Sequence, residues 1–145
     1  MSFLEAPLTD KTFIGSLIPQ KNPFVMVDSL LFYAEDSIVS GFTVPEKNLF
    51  VKNGCFHASG LIENMAQTIA LHKGYTYYLK QLPAPVGYIG AMKKVDVLEL
   101  PKVHGQLTTR VKILHDIMDV TLVSSSIEYQ GRIVAQGEMK TALAK

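Results

Sequence analysis

The chain has 145 residues, of which 48% are hydrophobic and 19% charged, a composition typical of one compact globular domain with a substantial core. Lys and Arg number 14 and Asp and Glu 13, so the formal net charge is +1 and no basic tract suits nucleic acid or an anionic membrane. The single cysteine, Cys55, excludes an internal disulfide framework and a cysteine-rich zinc site. Without a signal-peptide pattern or an apolar run of about 20 residues, we expect a soluble cytoplasmic protein with one domain over residues 1–145.

The N-terminal part predicts a short helix followed by a hairpin of two strands. Asp10 is a candidate N-cap for a helix over residues 12–17. The apolar run over residues 24–33 predicts a strand, and a turn connects it to a second strand over residues 38–44. Residues 45–54 are polar and contain Pro, two Asn and Gly, so they predict a loop.

Apolar spacing predicts one long helix from about residue 58 to about residue 75. Ile62, Met65, Ala66 and Ile69 follow the i, i+3, i+4, i+7 pattern. The apolar surface is wide, so we expect the fold to enclose this helix. Gly74 is placed where a helix commonly ends.

The rest of the chain predicts a run of antiparallel strands. The expected strands cover residues 86–98, 103–114, 120–129 and 133–142, with turns at 116–119 and 130–131. One long helix packed against such strands is an α+β arrangement, and the sheet is expected to wrap around the helix.

A carboxylate within the apolar helix is the first candidate for chemistry. Glu63 has mostly apolar neighbours, and a buried ionised carboxylate needs a partner or a proton. His57 lies directly before the helix. An acid and an imidazole beside a helix N-terminus suggest acid–base chemistry on a carbonyl substrate.

Two stretches of the chain carry a family resemblance. Leu17-Ile-Pro-Gln-Lys-Asn-Pro-Phe-Val-Met-Val-Asp is similar to a Leu-Pro-His-Arg-x-Pro-Phe-Leu-Leu-Val-Asp motif, and Gly60-Leu-Ile-Glu-Asn-Met-Ala-Gln is similar to Leu-Ile-x-Glu-x-Met-Ala-Gln. Both motifs belong to the hotdog-fold β-hydroxyacyl-(acyl carrier protein) dehydratases of fatty-acid and polyene synthesis, and the order of predicted elements also matches. Met65-Ala-Gln-Thr-Ile-Ala and Gly87-Tyr-Ile-Gly-Ala resemble the dehydratase-like proteins of aryl-polyene and flexirubin-type pigment clusters.

The resemblance implies a dimeric hotdog fold, in which an antiparallel sheet wraps one long central helix. It implies that Glu63 is the catalytic acid and that the backbone N–H of Ala58, at the family's helix-start glycine, polarises the thioester carbonyl. The family's histidine lies in a Gly-His-Phe-Pro segment upstream, and the corresponding loop here contains none. Gln20 also replaces the histidine of the first motif. His57 is therefore the remaining candidate base.

The residues suggest a role for each group. His57, at the cap of the helix, is the expected proton acceptor. The N–H groups of Ala58 and Ser59 have no intrahelical partner and can bind an enolate oxygen. Gln67, one turn after Glu63, can orient the carboxyl, and polar bonding between the helix and the sheet is an equally good interpretation of it. Six helical residues span about 9 Å, so we expect His57 of one chain to act with Glu63 of its partner in a homodimer.

Each of these residues also has a purely structural interpretation. His57 can be a capping or packing residue, and Glu63 a structural carboxylate bonded to backbone N–H groups. Asn64 is expected at the dimer seam, and Cys55 as a packing residue rather than a nucleophile. The remaining histidines lack metal-ligand spacing and are expected at the surface or in an interface: His72, His104 and His115.

The main hypothesis is a hydro-lyase without metal or organic cofactor that dehydrates a 3-hydroxyacyl thioester. Its partners would be acyl carrier protein and a second copy of the chain, with a higher assembly or a heteromer with a second dehydratase as further options. One alternative is a non-catalytic hotdog subunit that binds acyl carrier protein or a catalytic dehydratase. Another is an acyl thioesterase in which Glu63 activates water. Neither nucleic acid nor a membrane is an expected partner.

Overall fold

The computed structural model describes residue 4 and residues 6–143, which form a long helix, a short helix and a curved antiparallel sheet. The elements are α1 (Lys11–Ser16), β1 (Ser29–Ala34), β2 (Ser37–Thr43), β3 (Val51–Lys52), β4 (Cys55–Phe56), α2 (Ala58–Leu79), β5 (Gly87–Val97), β6 (Gln106–Ile117), β7 (Val120–Tyr129) and β8 (Arg132–Leu143). Within this part of the chain, no helix is long and apolar enough to cross a membrane.

Six strands form one antiparallel sheet in the order β1-β2-β6-β7-β8-β5, and β3 and β4 form a separate hairpin. Burial alternates along β7, because alternate side chains of a strand point to opposite faces. Its fully buried residues, including Val123 and Ile127, belong to the main core. The helix α2 packs on the sheet against β2, β6 and β7. The predicted α+β arrangement of one long helix on an antiparallel sheet is therefore confirmed.

The predicted cap of the first helix is confirmed. The Asp10 carboxylate accepts hydrogen bonds from the N–H groups of Thr12 and Phe13, at 3.0 and 3.3 Å. These bonds satisfy two of the amide groups that a helix start leaves without partners.

The strand predicted for the first apolar run is wrong in its first half, since β1 begins only at Ser29. The backbone before it bonds to side chains of α2. Gln67 Nε2 donates to the carbonyl of Phe24 at 2.7 Å, and the N–H of Met26 donates to Gln67 Oε1 at 2.6 Å. Asn64 Nδ2 donates to the Met26 carbonyl at 2.7 Å. Two buried amide side chains therefore take the place of a neighbouring strand.

The helix α2 is longer than predicted and continues through Gly74 to Leu79. A Cβ atom at Gly74 would lie 1.8 Å from the carbonyl oxygen of Leu17. The glycine is required by this close crossing of two backbone segments, and it does not end the helix.

Residues 45–54 are not a continuous loop, because β3 lies within them and pairs with β4. The turn between the two strands is formed by Asn53 and Gly54, both with positive φ (55° and 76°). An Asn-Gly pair with this geometry is a preferred two-residue hairpin turn. The later strands agree with prediction to within three residues at each end, and the turn between β6 and β7 lies at Met118 and Asp119.

His72 is buried, and the expectation of a surface or interface position is wrong for it. The side chain is 7% exposed, and Nε2 donates to the carbonyl of Ala34 at 2.9 Å. The ring stacks on Tyr33. Burial lowers the pKa of His72, because desolvation disfavours the imidazolium. His104 and His115 are exposed, as predicted.

Candidate active site

Glu63 and Gln67 lie one turn apart on α2 and are hydrogen-bonded. Gln67 Nε2 donates to Glu63 Oε1 at 2.8 Å. Gln67 is fully buried, and its bonds to Phe24 and Met26 hold its amide in one orientation. The amide therefore fixes the Glu63 carboxyl on one side. Glu63 is only half-buried, less enclosed than its apolar helix predicts, because its face of α2 borders a cavity.

This cavity has a volume of about 520 Å³ and runs along α2. Small side chains at Ala66 and Ala70 leave room beside the helix, one and two turns after Glu63. Its other walls come from residues 16–20, residues 84–87, Ile89 and the end of β8. Its side chains are mostly apolar, with a few polar groups, as in sites that bind extended organic ligands.

His57 is the N-cap residue of α2, and its side chain makes no capping hydrogen bond to the helix. Its Nε2 lies 3.1 Å from the carbonyl oxygen of Lys52. A carbonyl oxygen can only accept, so Nε2 carries the proton and Nδ1 of the neutral ring is left as an acceptor. This tautomer suits a base that acts through Nδ1. The ring does not line the Glu63 cavity, so one chain does not place the two groups around a common site.

The first amides of α2 are available for a ligand oxygen. Among the described residues, neither Ala58 nor Ser59 donates its backbone N–H to a protein acceptor. The next two amides, of Gly60 and Leu61, both donate to the carbonyl of His57, at 2.9 and 3.1 Å. Both free N–H groups also lie at the positive end of the helix dipole, where they can stabilise a developing negative charge.

Asn64 faces the sheet, so the expectation that it lies at a dimer seam is wrong. It is fully buried, donates to the Met26 carbonyl and accepts a 2.5 Å hydrogen bond from Thr109 Oγ1. Cys55 is half-buried and free. In the part of the chain that the structure describes, no three His, Cys, Asp or Glu residues cluster as metal ligands would.

A comparison with known protein families identifies the family of this chain. The family model described as ApeP-like, ApeP dehydratase, matches residues 12–144. The chain belongs to the ApeP-like dehydratase family. The match includes both motifs from which the dehydratase resemblance was predicted, so that resemblance and a dehydratase-like function are confirmed. A comparison with curated protein sequences gives no match.

Solved structures confirm the hotdog fold expected of an ApeP-like protein. The dehydratase heterocomplex ApeI:P from Xenorhabdus doucetiae superposes with a TM-score of 0.83, at 16% identity over 91% of each chain. Protein PH1136 from Pyrococcus horikoshii gives 0.69, at 14% identity over 100% of this chain and 96% of the other. A hypothetical thioesterase with coenzyme A from Streptococcus pneumoniae TIGR4 gives 0.65, at 16% identity over 79% and 84%. At these identities the likeness establishes the fold alone.

Four polar residues of the cavity wall, Ser16, Gln20, Lys73 and Thr141, were not predicted as site residues, and two of them bear on its chemistry. Lys73 follows Ala66 and Ala70 on α2 at i, i+4 and i+7 spacing and is half-buried. This spacing along the cavity face of the helix would have identified it. Gln20 lines the wall formed by residues 16–20, and its Oε1 is buried with no hydrogen-bond partner among the described residues. The motif comparison singled out Gln20 only as a replaced histidine, because no local pattern shows that it reaches this cavity.

Proposed function

We propose that the protein eliminates water from 3-hydroxyacyl thioesters carried by acyl carrier protein. The observation that carries the proposal is the position of Glu63, the one carboxylate among the residues lining the 520 Å³ cavity. Gln67 orients this carboxyl, and the apolar walls suit an acyl chain. The ApeP-like dehydratase family supports the type of reaction.

Each group has a defined part in the proposed reaction. His57 Nδ1 takes a proton from C2 of the substrate, and the electron pair of that C–H bond moves toward the thioester carbonyl to give an enolate, which then collapses to form the C2–C3 double bond. The C3–O bond breaks as Glu63 gives its proton to the leaving hydroxyl, which departs as water. The N–H groups of Ala58 and Ser59 stabilise the enolate oxygen of the thioester as it forms. The proton on His57 then returns to Glu63 through solvent.

The proposed site needs two chains. His57 and Glu63 are separated by six helical residues, about 9 Å along the axis, and His57 does not border the cavity. We assign the base and the oxyanion donors to one chain and the acid to its partner. The open edge of the sheet supports such a partner, because within the described residues β5 pairs only with β8, and this strand carries the exposed side chains of Ile89 and Met92. Open edges of this length are usually paired or covered.

A second dehydratase chain is the other candidate partner. The structural similarity to a dehydratase heterocomplex favours it, as does the absence of a histidine from residues 45–54. In that case the chain supplies part of the site and stabilises a heteromeric enzyme. Cytoplasmic localisation stays a prediction from the sequence.

The test is dehydration of a 3-hydroxyacyl carrier protein, followed as the loss of one water by mass spectrometry. We expect Glu63→Gln and His57→Phe each to lower the rate by at least roughly 100-fold. An equal mixture of the two variants should recover roughly a quarter of the wild-type rate, because half of the dimers are mixed and each has one intact site. Full activity of Glu63→Gln would refute the proposed mechanism, and failure of the mixture to recover would refute pairing between chains.

The same assay separates the alternatives. Turnover that appears only after a second dehydratase is added supports the heteromeric assembly. Release of free thiol without water loss supports a thioesterase, the activity named for one of the structural neighbours.

A further inference from the structure

Two glutamine side chains differ in their hydrogen bonding: Gln67 is bonded to Glu63, and Gln20 lines the cavity that Glu63 also lines. Gln67 makes three side-chain hydrogen bonds, to Phe24, Met26 and Glu63. Gln20 makes none within the described chain, and its Oε1 is buried. Buried polar atoms are paired in the great majority of cases, since an unpaired one has lost its bonds to water without replacement. The unpaired amide of Gln20 therefore needs an explanation.

Contacts on both sides of Gln20 hold the backbone of this segment in place. Lys21 Nζ donates to the carbonyls of Gly15 and Ile18, at 2.9 and 3.0 Å. On the helix side, Leu17 is packed against Gly74 with no spare room. The terminal torsion of a glutamine side chain is soft, however, so the amide itself can turn. The cavity that Gln20 lines is the space into which it can turn.

We propose that Gln20 is a substrate-recognition residue whose amide oxygen accepts a hydrogen bond from the bound carrier substrate. This inference rests on the proposed function. A saturated acyl tail contains no donor, so the donor is either the 3-hydroxyl of the acyl group or an amide N–H of the pantetheine arm. Both sources present the same chemistry, an O–H or N–H aimed at a carboxamide oxygen. Binding then supplies the hydrogen bond that the free protein lacks.

Gln20→Leu separates this role from a structural one, with Gln67→Leu as the matched control. Gln20→Leu removes an unpaired polar group, so the free protein should keep its Tm or gain in it. Gln67→Leu removes three hydrogen bonds of a satisfied side chain, and its Tm should fall. A lower Tm for Gln20→Leu, comparable to that of Gln67→Leu, would show a structural role and overturn the proposal.

Binding is measured by calorimetry in a Glu63→Gln background, which prevents turnover. The probes are a 3-hydroxyacyl pantetheine thioester and the same thioester without the hydroxyl. Gln20→Leu should weaken binding by about 3- to 10-fold, and Gln20→Glu, which keeps an acceptor, should weaken it less. A loss confined to the hydroxylated probe identifies the 3-hydroxyl as the donor, and an equal loss for both identifies the arm. Unchanged affinity for both probes, or no binding by the parent protein, would overturn the proposal.

These outcomes are independent of the dehydration assay. Weaker binding by Gln20→Leu in a protein that never loses water would support Gln20 recognition while the proposed reaction fails. Normal dehydration together with unchanged binding by Gln20→Leu would support the proposed reaction and refute the recognition role of Gln20.

Discussion

Replacement of Gly74 by Ala tests the packing that forms one wall of the Glu63 cavity. The added Cβ would lie 1.8 Å from the carbonyl oxygen of Leu17 and 2.8 Å from its carbonyl carbon. Both atoms are backbone, so no side chain can rotate to relieve the overlap. Either α2 or residues 17–20 must move, and the latter residues line the cavity.

Two opposing effects set the size of the expected change. Alanine is favoured over glycine within a helix by about 1 kcal/mol. Overpacking a well-packed site costs about 1–3 kcal/mol or more, and an overlap between backbone atoms belongs at the upper end of that range. We expect Gly74→Ala to lower the free energy of unfolding by about 1–2 kcal/mol, which corresponds to a Tm decrease of about 2–8 °C. Substrate affinity should fall as well, because the cavity wall shifts.

Urea unfolding at a fixed protein concentration measures the effect, with Gly15→Ala as the control. Gly15 lies in α1, and a Cβ there meets no atom within 4 Å. The control should therefore be neutral or more stable than wild type, by up to about 1 kcal/mol. If Gly74→Ala proves as stable as Gly15→Ala, the close crossing at Leu17 does not constrain the fold and this reasoning is wrong.

Two further predictions concern pH and the size of the cavity. Burial lowers the pKa of His72 in the folded protein. As the pH falls below about 6.5, the His72 imidazole therefore binds a proton in the unfolded chain before it does so in the folded protein. The contribution of neutral His72 to stability should be fully present above that pH and decrease below it. The urea midpoint of His72→Gln should vary less with pH than that of wild type, and an identical variation would contradict the role of His72. Ala70→Leu places a larger side chain in the wall of the cavity, and we expect turnover of long-chain substrates to fall at least about 10-fold while short chains are retained. Equal loss for both chain lengths would argue against an acyl chain lying along α2.

Features that depend on nearby residues were predictable from the sequence. The Asp10 cap acts within three positions of its own residue, and the strand over β7 shows its period directly. The contact between Gln67 and Glu63 follows from i, i+4 spacing on a helix. In each case the partner atoms are fixed by local geometry, so the sequence pattern alone is sufficient to predict the contact or the strand.

Features that depend on distant contacts were predicted incorrectly. The backbone of Phe24 and Met26 looks like a strand in the sequence, yet its partners are Gln67 and Asn64, about 40 positions later. Gly74 resembles a helix end and is instead the point where another segment crosses. No propensity encodes either contact, because both result from the packing of segments far apart in the chain.

Within the candidate site, too, features set by nearby residues were predictable and features set by distant contacts were not. The motif around Glu63 identifies an acid and its orienting amide, because all the atoms concerned lie on one helix. The His57 ring depends on the carbonyl of Lys52, which the hairpin turn at Asn53 and Gly54 brings back toward the helix start. A stretch that reads as a polar loop therefore sets the tautomer of the imidazole. Since this hairpin and the proposed partner chain both lie outside the motif, the motif can specify the proposed acid but not the proposed base.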